Sequence, residues 1–98
     1  MLSAGQAPSG RMTVEGRVVA VKVRESERWG TLYGIVVRLR NGSAVYSTVP
    51  RRLEESLGWE PVEALRGKRV RFTATFEPAN RDPHFSFARR PRGAELLG

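Results

Sequence analysis

The 98-residue chain contains no cysteine, which excludes disulfides and thiolate metal sites and leaves the redox compartment undetermined. It has a single histidine, His84, and only 10 acidic residues, too few ligands for a built-in zinc or two-metal centre. No apolar run approaches the roughly 20 residues that cross a bilayer, and the opening MLSAGQAPSGR lacks the apolar segment of a signal peptide. Together these absences predict a cytoplasmic protein with no membrane partner and no cofactor. Phosphate-cradling glycine motifs are missing as well, since neither a P-loop nor a dinucleotide fingerprint occurs and Asn41-Gly42-Ser43 reads as a turn. Asp82, His84 and Ser86 crowd one turn and one strand without a pocket, so the chain is not expected to be an enzyme.

Positive charge is what the chain has in excess. Lys plus Arg is 17, giving a formal net charge of +7, and every basic residue except Lys22 and Lys68 is arginine. Such a balance predisposes a small protein towards nucleic acid or another acidic surface, although a GC-rich genome also favours arginine. The charge is unevenly spread. Residues 13–52 and 66–92 each carry eight basic groups, whereas the stretch 53–65 between them carries four glutamates and no basic group. Basic charge therefore travels with the strand-like segments.

Residues 1–12 are small, polar and rich in glycine and proline, and read as a flexible N-terminal arm; residues 93–98 read as a frayed tail. The domain between them, 13–92, is mostly strand. Thr13 to Arg24 (TVEGRVVAVKVR) suits a long strand that bends or bulges near Gly16. In Leu32 to Arg40 (LYGIVVRLR), Tyr33, Ile35, Val37 and Leu39 share one face, and Val36, Arg38 and Arg40 the other. Asn41-Gly42 predicts a type I′ hairpin turn into a third strand, Ser43 to Val49, which Pro50 ends by removing a ladder donor. Pro50 to Leu57 (PRRLEESL) suits a short helix with Leu53 and Leu57 on its buried side, and Pro61 to Leu65 a second turn. Arg69 to Phe76 alternates cleanly, with Val70, Phe72, Ala74 and Phe76 inward, and His84 to Arg89 alternates again. This order predicts an all-β fold, a five-stranded OB-fold-like barrel with a short helix between strands 3 and 4. An SH3-like barrel is the nearest rival.

At LYGIVVRLRNGSAVYSTVP, LRGKRVRFTATFEP and DPHFSFARRP the chain resembles small OB-like modules of actinobacterial and phage-related proteins, over roughly residues 14–92. Their pattern is a Tyr-Gly pair opening the second strand, a Gly-Thr-Val-Pro run ending the third, and a phenylalanine-rich strand closing on Lys-Arg-Pro. The chain matches at Tyr33-Gly34, Thr48-Val49-Pro50 and Arg90-Pro91. It departs at Ser47 and Ser86, where glycines are usual, and at Ala88 and Arg89, where phenylalanine and lysine are usual. The resemblance implies a module that holds single-stranded nucleic acid or docks a protein.

OB barrels hold single strands across strands 2 and 3, flanked by the loops joining strands 1 to 2 and 4 to 5. Those loops are ESERWGT, with Arg28 and Trp29, and EPANRDP, with Arg81. Cations are needed for phosphates and aromatic faces for bases. Arg38 and Arg40 are the leading phosphate contacts, with Lys22 and Arg24 ending strand 1 near Trp29, and Arg69 and Arg71 projecting from strand 4. Tyr46 stands outward to stack if Val45 and Val49 point inward, or else packs under the arm; Trp29 stacks or caps the barrel end. Arg89 and Arg90, with Arg92, grip phosphate or tether an acidic partner. Tyr33 is assigned to the core rim, Trp59 to the barrel bottom, and Phe72, Phe76, Phe85 and Phe87 to the core. The expected partner is single-stranded DNA or RNA, DNA first, in replication, repair or transfer. The alternative is an interaction module whose basic face docks an acidic protein. Polar strand edges leave a homo-oligomer open.

Overall fold

The computed structural model describes residues 2–98, so the first residue of the predicted arm lies outside the described residues. Five strands, β1 (Gly10–Ser26), β2 (Gly30–Leu39), β3 (Ala44–Thr48), β4 (Arg69–Pro78) and β5 (Phe85–Leu96), close a barrel in the order β1-β2-β3-β5-β4. All ladders are antiparallel except β3–β5, which is parallel. One helix, α1 (Arg51–Leu57), and a 3-10 turn (Val62–Leu65) lie between β3 and β4. This is the OB-type barrel that the strand order in the sequence predicts.

Closure depends on β1 serving two neighbours. Its first half pairs with β4 from Gly10–Phe76 to Arg17–Arg69, and its second half pairs with β2 from Gly16–Leu39 to Ser26–Gly30. Gly16 and Arg17 are therefore paired on both sides. A Cβ at Gly16 would lie 2.3 Å from the Arg38 carbonyl oxygen, so only glycine lets the strands approach this closely. The bulge itself falls three residues later than the glycine, with Val19 unpaired between Val18 and Ala20.

Val14, Val18, Ile35, Val37, Val45, Val70, Phe72, Ala74 and Phe76 fill the interior. Leu53 and Leu57 of α1 and Leu65 of the 3-10 turn close the end below β3, as the apolar spacing of that helix predicts.

The opposite end is closed by the segment expected to be a flexible arm. Ala7 and Pro8 are buried, and Ser86 inside the barrel donates its hydroxyl hydrogen bond to the Pro8 carbonyl. Asn41 Nδ2 donates to the Ser3 and Gln6 carbonyls at 2.9 and 2.8 Å, the Gly5 amide donates to the Asn41 carbonyl, and the Ala7 amide to the Pro83 carbonyl. His84 Nδ1 lies 2.6 Å from the Gly5 carbonyl oxygen. The inward position beside the arm is the small Ser86, and its size leaves space for Pro8.

Two further expectations are corrected. The Asn41-Gly42 turn is not type I′, because Gly42 (φ 94°) is in the left-handed region and Asn41 is not. Leu39 and Ser43 bracket a three-residue loop in which the Gly42 amide donates to the Leu39 carbonyl, the hairpin form of a type I turn followed by glycine. Asn41 Oδ1 accepts from the Ser43 amide and hydroxyl, and these bonds together with those to the arm fix its conformation. The predicted tail, residues 93–98, is ordered: β5 runs to Leu96, Ala94 is buried, and the Leu97 amide donates to Arg69 at 2.8 Å.

Replacing Asn41 by alanine removes the side-chain bonds that hold the plug. The expected cost is about 1–3 kcal/mol in a denaturant titration, with faster hydrogen exchange at the Gly5 and Ala7 amides. Unchanged stability and exchange would mean that the arm does not contribute to the barrel.

Candidate nucleic-acid interface

Register partners on neighbouring strands project to the same side of a sheet, so the ladders define the outer face directly. Ala20, Val36, Tyr46 and Phe87 form one row across β1, β2, β3 and β5. Towards the β1–β2 hairpin, the next rows are Lys22, Gly34 and Thr48, then Arg24 and Leu32. On the other side lies the row Arg17, Arg38, Ala44 and Phe85.

The centre of this face is aromatic. Phe85 and Phe87 meet edge to face with centroids 5.2 Å apart, and Tyr46 and Phe87 at 6.4 Å. Tyr46 stands outward, since Val45 and Ser47 on either side of it are buried. Its phenol end lies over Gly34, where a Cβ would sit 2.1 Å from the Tyr46 oxygen. The glycine of the Tyr33-Gly34 pair thus makes room for the ring, and Tyr33 itself is half-buried at the rim. The assignment of Phe85 and Phe87 to the core is overturned. Ser86 is the inward residue of that strand, and Phe87 is 47% exposed. Phe72 and Phe76 do lie in the core.

Cations border the rings at both ends, Lys22 and Arg24 on one side and Arg17 and Arg38 on the other. Among the described residues none of these four makes an ion pair. Arg38 is steadied by its 3.1 Å bond to the Gly42 carbonyl, and Arg40 is exposed on the following turn. The row of Phe87 continues to Glu77 on β4, whose carboxylate is engaged by Arg89 Nε at 2.8 Å.

Other expected contacts sit elsewhere. Arg28 and Trp29 occupy the hairpin tip, with the guanidinium 5.1 Å from the indole centroid and Trp29 69% exposed. The tip lies roughly 20 Å along β2 from Tyr46, six residues at about 3.3 Å each, so Trp29 is outside the central platform. Arg69 and Arg71 lie on β4, with Arg69 beside Arg17 on the side away from the rings. Arg69 binds Glu15 at 2.9 Å, and Arg71 binds Glu95, whose hydrogen bond raises the guanidinium pKa above its ordinary value. Arg81 is exposed in the β4–β5 loop, and Arg90 adopts a left-handed φ of 53° where β5 bends along β4. Trp59, expected to cover the barrel bottom, is 94% exposed. Leu53, Leu57 and Leu65 already fill that end.

No family model, curated protein or solved structure matches the chain. Among the described residues no group of three or more His, Cys, Asp or Glu side chains is arranged to hold a metal ion, and no helix is long and apolar enough to cross a membrane.

The two phenylalanine environments predict opposite mutational costs. Phe72→Ala should cost about 3–5 kcal/mol and Phe87→Ala about 1 kcal/mol or less, measured by chemical denaturation; equal costs would contradict an outward Phe87. Gly34→Ala should cost about 1–3 kcal/mol by overpacking against the Tyr46 ring. Most of that cost should vanish in a Tyr46→Ala background, because the cycle isolates this one contact.

Proposed function

We propose that the chain is a non-catalytic single-strand nucleic-acid binder, DNA before RNA, that uses the outer face of β1, β2, β3 and β5. The observation that carries this reading is the outward cluster of Tyr46, Phe85 and Phe87, bordered by Lys22 and Arg24 at one end and Arg17 and Arg38 at the other, none of them in an ion pair among the described residues. Bases stack on such rings without regard to sequence, because every base has a π-face. The flanking cations displace counterions from phosphates, so affinity depends on salt. A duplex keeps its bases stacked inside and offers this face only phosphates. A binder of this kind suits replication, repair or strand transfer, where single strands are exposed. It also accords with the resemblance of the Tyr33-Gly34 and Thr48-Val49-Pro50 motifs to the OB-like modules of phage-related proteins.

The test is anisotropy titration of a labelled single strand of ~20 nucleotides in DNA and RNA forms, with duplex as control. With four phosphates neutralised, affinity should fall roughly 50-fold between about 50 and 200 mM salt, from a slope of about −0.7 per phosphate. Phe87→Ala or Tyr46→Ala should each weaken binding about 5- to 150-fold, the range of one lost base stack. Binding of duplex and single strand alike, insensitive to both rings, would sink the proposal and favour an acidic protein as the partner of the basic face.

A further inference from the structure

A row of like charges runs across three strands. Arg17 is the register partner of Arg38 on β2 and of Arg69 on β4, so three arginines leave the outer surface side by side. Like charges directly opposite one another destabilise a sheet. These three, with Arg40 from the β2–β3 turn, line a cleft of about 190 Å³ beside Gly16 and Glu15. Four guanidiniums therefore face one carboxylate, and that carboxylate is shared between Arg69 at 2.9 Å and Arg71 at 3.7 Å.

The arginines are held in place without being used up. Arg17 donates to the Gly67 carbonyl at 2.6 Å and Arg38 to the Gly42 carbonyl at 3.1 Å. A guanidinium has five N–H donors, so each keeps donors for an oxyanion. The close strand approach that excludes a Cβ at Gly16 also brings Arg17 and Arg38 together. Arg38 is in turn the partner of Ala44, and Ala44 of Phe85, so the cleft adjoins the aromatic platform.

We infer that this cleft binds the terminal phosphate of the strand on the platform, in preference to an internal phosphodiester. An internal diester carries one negative charge and two free oxygens. A terminal monoester carries about −1.5 to −2 near neutral pH and three acceptor oxygens, which matches several unopposed guanidiniums better. The inference rests on the platform reading and adds to it the class of strand end recognised.

The experiment compares three single strands of one sequence, 5′-phosphorylated, 3′-phosphorylated and unphosphorylated, at fixed salt and a pH well above the second phosphate pKa of about 6. One phosphorylated end should bind about tenfold tighter, as charge-assisted hydrogen bonds to a new oxyanion require. Arg17→Gln and Arg38→Gln should each bring that ratio near one while the variant stays folded by circular dichroism, since the loss of a carbonyl hydrogen bond is offset by relief of like-charge repulsion. Equal affinity for all three strands, still dependent on Phe87, overturns end recognition and leaves the platform standing. If no strand binds but inorganic phosphate shifts the amide resonances of Gly16, Arg17 and Arg38, the platform fails and the cleft is a free-anion site, which also overturns the inference. A tenfold preference that survives both arginine variants overturns it too, by locating the phosphate elsewhere.

Discussion

The barrel turns on the missing side chain of Gly16. At this position β1 is paired on both sides, and the Arg38 carbonyl stands where a Cβ would be. A larger residue would push β2 away from β1 at the point where β1 passes from one neighbour to the other. The same close approach decides the chemistry outside, because it lines up Arg17 with Arg38 and Arg69 and gathers positive charge over the junction. One backbone constraint thus governs both the closure of the core and the density of cations on the surface.

A second glycine works in the opposite direction. Gly34 faces outward, and its bare backbone receives the Tyr46 ring, which covers it from solvent. Inside the barrel, Ser43, Ser47 and Ser86 are small where neighbouring strands carry valine and phenylalanine, and the N-terminal segment fills the space beside Ser86. At the β3–β5 seam the rings therefore point out, while hydroxyls join Val45 on the inside. Each hydroxyl has a partner, Asn41 for Ser43, the Thr48 carbonyl for Ser47 and the Pro8 carbonyl for Ser86, so burial leaves none of them unsatisfied.

That arrangement marks how far the sequence was legible. Strand order, the helix after Pro50 and the inward faces of β2 and β4 follow from alternation and from proline, because valine, isoleucine and phenylalanine at every second position have only one stable side. In HFSFARR the alternation is equally clear, but it states only that serine and phenylalanine oppose one another. Which of them points inward was decided by Pro8, far away in sequence, taking the space beside Ser86. The arm was illegible for the same reason: SAGQAPSG has no periodicity, and its order comes from Asn41, Pro83 and His84. Asn41-Gly42 correctly marked a hairpin, yet the turn type was set by tertiary bonds to the asparagine side chain. Of the expected contacts, Lys22, Arg24, Arg38 and Tyr46 share the platform, Arg69 lines the adjoining cleft beside Arg17, Trp29 sits at the hairpin tip and Arg71 pairs with Glu95.

The β3–β5 ladder is the one parallel seam, with only Ala44–Phe85, Val45–Ser86 and Tyr46–Phe87 as partners. Parallel pairing is slightly weaker per residue than antiparallel, and this ladder joins segments that are not neighbours in the chain, so its formation carries a loop-closure cost. The aromatic rings straddle that seam, Tyr46 on one side and Phe85 and Phe87 on the other. A ligand resting on all three spans the joint like a splint. Because the rings come together only when the seam is shut, occupancy of the face and closure of the barrel are thermodynamically linked.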